Sequence, residues 1–254
     1  MRMAVPLAAS LVAPAGSHAR RRIIKGAWVL AAVIAIAVVG SAAYVISLPG
    51  VGDALSRVKQ ILVLHHGVYG RPPPPRRLGD AVVSVEDEHF YDNFVVNVAD
   101  GAGRAALGVL QTNRDPGGST IDQQLAKQLY GVGDGFGATL KAIVLGVKLS
   151  LSYPKPDILD MYLNAVYYGH GYWGDIAAAR GYFHTTPDRL DWAEAAMLAG
   201  LPQAPSTYDP LEHLAVAKQR QLHVLDRLVV THYLTAAQAK AAYNERLPLS
   251  KLQG

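Results

Sequence analysis

A single uncharged stretch limits what this chain can fold into. From Gly26 to Leu48 there is no Asp, Glu, Lys or Arg, and a helix needs about 20 apolar residues to cross a bilayer core. Those residues belong either in lipid or inside a core. Arg20, Arg21, Arg22 and Lys25 stand just before the run, and such cations mark the cytoplasmic side of a span. The arrangement expected is a cytoplasmic basic tail over 1–25, a single-pass anchor over 26–48, and the rest of the chain outside the membrane. Ser41-Ala42-Ala43 resembles a small-residue cleavage site, so a removed signal peptide is the rival. The run exceeds the ~7–15 apolar residues of a signal-peptide core, which favours a retained anchor.

The charge balance becomes informative once that tail is set apart. The chain carries 24 basic and 20 acidic residues, a formal net charge of +4. Five of the basic residues and none of the acidic ones precede Asp53, which leaves 19 basic against 20 acidic side chains. No basic stripe for a phosphate backbone remains, and nucleic acid is excluded as a partner. Half of the 254 residues are hydrophobic, enough for a sizeable core, and the absence of cysteine excludes disulfides and thiolate chemistry.

Residues 49–77 read as a juxtamembrane connector. It holds a short helix over 53–66, a His65-His66 pair without metal-ligand spacing, and the stiff Pro72–Pro75 run. From Leu78 the pattern turns helical. Leu78, Ala81, Val82 and Val85 form an apolar stripe that delivers Glu86-Asp87-Glu88. Carboxylates at a helix end are commonly a solvated terminus, but Val85 and Phe90 bracket this cluster and hold Glu86 and Asp87 beside packed structure. A carboxylate held in that way suits a general base.

The run Gly117–Gly131, GGSTIDQQLAKQLYG, is the other informative stretch. Ser119 with Asp122, or Thr120 with Gln123, has capping-box spacing, and Ile121, Leu125 and Leu129 recur at i, i+4 and i+8 toward a core. Gln123, Gln124 and Lys127 are then expected on the opposite side. A helix start, two hydroxyls, two amides and an ammonium form a cradle for a polar, anionic ligand. An ordinary capped surface helix is the competing account.

Further along, Pro154 and Pro156 fix a turn, and Asp157 begins a helix carrying Leu159, Tyr162 and Leu163, with Asn164 near its end. Gly169–Gly174 is a glycine-rich turn with aromatics, suited either to stacking on a sugar or to packing on the core. Asp191 and Glu194 form a capping box, so Glu194 is expected to be a cap. Residues 211–231 read as an amphipathic helix with Leu214, Lys218, Leu222, Leu225 and Leu228 near one face, and Thr235 with Gln238 caps the last helix.

The ordered motifs resemble those of the family 51 glycosyltransferases, the peptidoglycan transglycosylases found alone or fused to penicillin-binding transpeptidase domains. The likeness starts with Glu86-Asp87-x-x-Phe90 and Gly117-Gly118-Ser119-Thr120-Ile121-x-Gln123-Gln124-Leu125-Ala126-Lys127. It continues through Ile158-Leu159-Asp160-x-Tyr162-Leu163-Asn164-x-Val166-Tyr167-Tyr168-Gly169 and Gly174-x-x-Ala177-Ala178-Ala179-x-x-Tyr182-Phe183. It closes with Glu194-Ala195-Ala196-x-Leu198-Ala199-Gly200-Leu201-Pro202-Gln203-Ala204-Pro205-Ser206. It covers about residues 78–240.

The resemblance implies a mainly α protein: a lysozyme-like helical domain over 78–248, preceded by a single N-terminal transmembrane helix. It implies a monofunctional enzyme of the bacterial cell membrane, since the transpeptidase signals are absent as an ordered set. Such an enzyme polymerises lipid II into β-1,4 glycan with release of undecaprenyl pyrophosphate. Glu86 would be the general base, with Asp87, Ser119, Thr120, Gln123, Gln124, Lys127 and Asn164 on the substrate side. No soluble cofactor is needed, though a divalent cation, Mg or Mn, often assists the family. Lipid II, the growing glycan, the membrane and other cell-wall synthases are the partners implied.

The third motif departs from the family. Its Arg-Lys-x-x-Glu falls on Ala138, Thr139 and Ala142, so the second carboxylate and the cation pair are both missing. Lys141 and Lys148 stand nearby but cannot replace a carboxylate, and Asp134 and Asp175 are the unaligned acids that are candidates to compensate. In the first motif the family's His and Gly are Asn93 and Val95. The alternative reading is a catalytically impaired member that binds lipid II or partner synthases. A lytic hydrolase is a weaker third.

Overall fold

The computed structural model describes residues 17–70, 72–92, 119–133 and 135–250, with side chains from Ala27 onward. Asn93, Val95, Gly117, Gly118 and Asp134 lie outside the described residues. The chain divides into two compact units, Met1–Leu48 and Pro49–Gly254. The first contains α1 (Ser17–Ser47). Its 21 residues from Ala27 to Ser47 are long and apolar enough to cross a membrane, and none of the apolar window is buried by protein. Trp28, Val29, Val33 and Ile36 are all exposed, as lipid-facing residues would be.

Among the described residues of the second unit the regular elements are helices, apart from one isolated antiparallel bridge between Tyr167 and Trp173. Its elements are α2 (Ala54–Leu64), α3 (Arg76–Glu86), α4 (Ile121–Tyr130), α5 (Phe136–Ser152), α6 (Lys155–Ala165) and α7 (Asp175–Phe183). A 3₁₀ turn (Pro187–Arg189) follows, then α8 (Trp192–Gly200), α9 (Leu214–Val230) and α10 (Ala236–Asn244). Two helices form the centre. Every residue of α6 from Ile158 to Ala165 is buried, as is every residue of α8 from Ala193 to Gly200. A helix buried on all sides is the core against which amphipathic neighbours set their apolar stripes. Helices α2 and α4 pack on α6, α3 packs on α8 and α9, and α5 packs on α4. Each leucine or isoleucine buried in this way contributes about 1.5–3 kcal/mol.

Several local expectations hold. Ile121, Leu125 and Leu129 face the core. The Asp191/Glu194 and Thr235/Gln238 capping boxes are both formed in full. At α4 the cap is Thr120, whose side chain accepts from the Gln123 N–H. Asp122 is turned instead toward Ser150 Oγ (2.6 Å) and Lys155 Nζ (2.7 Å).

Two expectations about helix faces are corrected. Gln123 does not share the exposed polar side of α4, since it is only 9% exposed. It lies against α5 at Gly146, where an added Cβ would sit 3.1 Å from the Gln123 backbone nitrogen. In α9 the buried stripe is Ala217, Gln221, Val224, Leu225 and Leu228, while Leu214 and Leu222 are exposed. The buried Gln221 donates from Nε2 to the Ala193 carbonyl (2.7 Å), so a polar residue marks the core face that leucines alone did not reveal.

Candidate active site

Glu86 is the last residue of α3. The next residue, Asp87, leaves helical geometry at φ −160° and ψ 79°, which turns the chain and presents both carboxylates at the end of the helix. The two then serve different partners. Asp87 is buried, and its Oδ2 accepts from the Ile121 N–H at 3.2 Å. Ile121 opens α4, so this carboxylate satisfies one of the donors left unpaired at the helix start and complements the positive end of the helix. Phe90, fully buried, fastens the turn after it, with the Lys155 ammonium 4.5 Å from its ring centroid.

Glu86 is partly buried on the other side of this joint. Gln124 Nε2 donates to Glu86 Oε2 at 2.8 Å, and a guanidinium nitrogen of Arg220, Nη2, stands 3.5 Å from Oε1. The Gln124 amide is oriented from behind, because Tyr162 donates its hydroxyl to Gln124 Oε1 at 2.9 Å. Burial, reinforced by the negative charge of Glu86, raises the Tyr162 phenol well above its ordinary range. Tyr162 therefore stays a donor at any physiological pH, and the amide nitrogen of Gln124 is kept toward Glu86. Gln124 Nε2 also donates to the Ser119 carbonyl (3.3 Å).

The remaining predicted residues are distributed as follows. Thr120, Gln124 and Lys127 share one side of α4 by spacing, with Ser119, Thr120 and Lys127 partly exposed. At the α4 start, the N–H of Ile121 is taken by Asp87 and that of Gln123 by Thr120. Asn164 lies elsewhere. It is buried, with Oδ1 accepting from the Gly70 N–H (2.6 Å) and Nδ2 donating to the Asp160 carbonyl (2.8 Å), so it fastens the connector to α6.

Ala142, where the resemblance expects the second carboxylate, is 1% exposed and belongs to the buried stripe of α5 with Leu145, Gly146 and Leu149. Asp175 is buried beside Gly70, in the Asn164 cluster. In the glycine-rich turn, Trp173 stacks on His65 (centroids 4.0 Å apart) and packs against Tyr167, while Tyr172 covers Gly181. These contacts accord with the packing account of that turn. Among the described residues no group of three or more His, Asp or Glu side chains is placed to hold a metal.

Sequence reasoning missed Arg220. It comes from α9, and its Nε donates to the Gly200 carbonyl (3.2 Å). One signal was present: Arg220 and Arg227 are seven residues apart on a helix and so share a face. Both reach the end of α3, Arg220 toward Glu86 and Arg227 toward Glu88 and the Ser84 carbonyl.

Among its described residues the domain is helical and of the lysozyme-like class, with the Glu86 carboxylate braced where α3, α4 and α9 meet. The family model for transglycosylases matches residues 72–229, and the chain belongs to that family. Penicillin-binding protein 1A of Neisseria flavescens is 39% identical over 175 residues, 68% of this chain and 22% of that one. Penicillin-binding protein 1F of Bacillus subtilis is 36% identical over 177 residues, 69% of this chain and 25% of that one. The chain thus spans roughly a quarter of the length of these two relatives. A candidate transglycosylase of Cupriavidus necator is 36% identical over 176 residues, 69% of this chain and 76% of that one. The crystal structure of penicillin-binding protein 1A from Haemophilus influenzae aligns at a TM-score of 0.37 and 32% identity, over 52% of this chain and 17% of that one. The domain is thus of the transglycosylase type.

Proposed function

We propose that the protein is a monofunctional, membrane-anchored polymerase that joins lipid II units into β-1,4 glycan, with Glu86 as general base. The observation that carries this reading is the Glu86 carboxylate, anchored at Oε2 by Gln124 while, among the described residues, Oε1 has the longer Arg220 contact. Oε1 then accepts the proton of the acceptor sugar's 4-hydroxyl. The freed oxygen bonds to the donor's anomeric carbon with inversion, and the bond to undecaprenyl pyrophosphate breaks. Lys127, with Thr120 and Ser119 on the exposed side of α4, steadies the charge that develops on the pyrophosphate.

The apolar α1 segment and the cations before it support a single-pass anchor with the N-terminus in the cytoplasm. The likeness along 76% of the Cupriavidus necator protein supports the monofunctional form. Other cell-wall synthases are proposed as partners, and a divalent cation as an aid to turnover.

The second reading is a lipid II-binding member without turnover, and it is favoured by one observation, the buried alanine at 142. Full-length protein in detergent with labelled lipid II separates the two. Polymer from the wild type, reduced at least about a hundredfold in Glu86→Gln, is expected from the loss of a base that contributes 10²–10⁴. Retained binding with no polymer from the wild type would establish the second reading. Fragments released from preformed glycan would instead indicate a hydrolase.

A further inference from the structure

We infer that Arg220 is a positioning residue for the general base, holding the Glu86 carboxylate aimed from the far side of the joint. This rests on the proposed role of Glu86. Arg220 is held among packed groups. Its side chain and that of Glu86 are only 12% and 13% exposed, so the pair is shielded from the solvent screening that weakens surface ion pairs. Gly200, the last residue of α8, lets α9 approach closely: an added Cβ there would meet Arg220 Cγ at 2.7 Å. The guanidinium is then fixed at Nε by the Gly200 carbonyl at 3.2 Å, leaving Nη2 directed at Glu86. The Tyr208 ring lies on the same group, 5.8 Å from its carbon to the ring centroid.

The two contacts of Glu86 differ in kind. The 2.8 Å hydrogen bond from Gln124 fixes Oε2, whereas Arg220 stands 3.5 Å from Oε1. At that distance the guanidinium supplies charge without occupying Oε1 as a short hydrogen bond would. The oxygen proposed to accept the proton is thus restrained in direction but left able to accept. Arg227, two turns along α9, bonds the Ser84 carbonyl at the open end of α3 and pairs with Glu88. Helix α9 therefore fixes the helix end with one arginine and the base with the other.

Two variants, Arg220→Met and Arg220→Lys, test this in the full-length protein alongside the wild type and Glu86→Gln. For Arg220→Met, lipid II polymerisation should fall in kcat by about 10–100-fold with KM changed by less than about threefold, as for a misaimed catalytic group. Arg220→Lys should recover part of that loss. A merely structural arginine would instead lower the amount of folded protein while leaving kcat per folded molecule intact, and that result overturns the inference.

A second measurement needs no turnover. The chain has five glutamates (Glu86, Glu88, Glu194, Glu212 and Glu245), so carboxyl-13C labelling gives a sparse spectrum. The Glu86 signal should move in Arg220→Met and much less in Arg227→Met. An unmoved Glu86 signal sinks the pairing. A wild type that makes no polymer sinks the polymerase reading instead, and the carboxyl signal then decides the Arg220–Glu86 pairing by itself.

Discussion

At the scale of single residues, the site depends on which atoms are held and from where. Tyr162 is fully buried in α6, yet it acts on the site through Gln124, whose amide it keeps with oxygen inward and nitrogen toward Glu86. Replacing it with Phe preserves the packing and removes only the hydroxyl. An amide oxygen left without its partner costs about 1–3 kcal/mol, and Gln124 is then free to rotate its donor away from Glu86. Tyr162→Phe should therefore fold, lose about 1–3 kcal/mol of stability, and polymerise lipid II about tenfold more slowly, a loss of roughly one hydrogen bond at the transition state. Unchanged turnover in a variant of reduced stability would show that the Tyr162 bond serves the fold alone. Glu86 and Gln124 were both legible in the sequence, because motif order placed them. Their contact was not, since 38 residues separate them and local pattern carries no information about such a pairing. Arg220 was still less visible: its relation to Glu86 exists only once α9 is laid against α3.

At the scale of elements, periodicity located the helices well and their faces less well. The α4 stripe was correct because three apolar residues at helical spacing leave few alternatives. The face of α9 was misjudged because Leu214 and Leu222 are exposed while Gln221 is buried and paired with the Ala193 carbonyl; hydrophobicity alone ranks these residues in the wrong order. Gln123 was misplaced for a related reason. Gly146 has no side chain, so α5 approaches the α4 backbone closely enough to cover a glutamine that α4 by itself would expose.

The same close approach bears on the missing third-motif carboxylate. Ala142 is one helical turn from Gly146 on the buried stripe of α5, at 1% exposure, so this pair of helices is built around small residues. A glutamate there would be buried without a prearranged partner. Ala142→Glu should lower unfolding stability by about 3–5 kcal/mol, in the range for an uncompensated buried charge, and should not raise polymerisation. A stable Ala142→Glu protein with increased turnover would mean that α5 can turn this position toward the cleft, and the impaired-member reading would gain accordingly.

At the scale of the whole molecule, the residues before the first motif are built into the domain. Pro49–Gly254 is one compact unit, with the connector fixed to α6 through Gly70 on Asn164 and Tyr69 on Asp160 (2.6 Å). This joint contains the buried Asp175, only 2% exposed, whose Oδ1 accepts from the Ile176 N–H at 2.8 Å. Burial raises its carboxyl from 3.8 to about 7, opposed by the backbone hydrogen bond to Ile176 and assisted by the neighbouring charge of Asp160.

The sign of the consequence follows from linkage. A carboxyl that titrates higher folded than unfolded holds its proton more tightly in the native state. Its contribution to stability is then complete below about pH 4 and is lost as the pH rises through about 7. Asp175→Asn keeps the carbonyl oxygen that accepts from Ile176 and cannot ionise. It should remove that component of the pH dependence between about 4 and 7 and stabilise the protein at pH 8 by about 1–3 kcal/mol, allowing for relaxation around the buried charge. Urea unfolding of the full-length protein across this range, read from tryptophan fluorescence, measures the effect. A variant that keeps the wild-type slope and gains nothing at pH 8 would show that the Asp175 charge is already compensated in the folded domain, and that the joint between connector and α6 carries no such penalty.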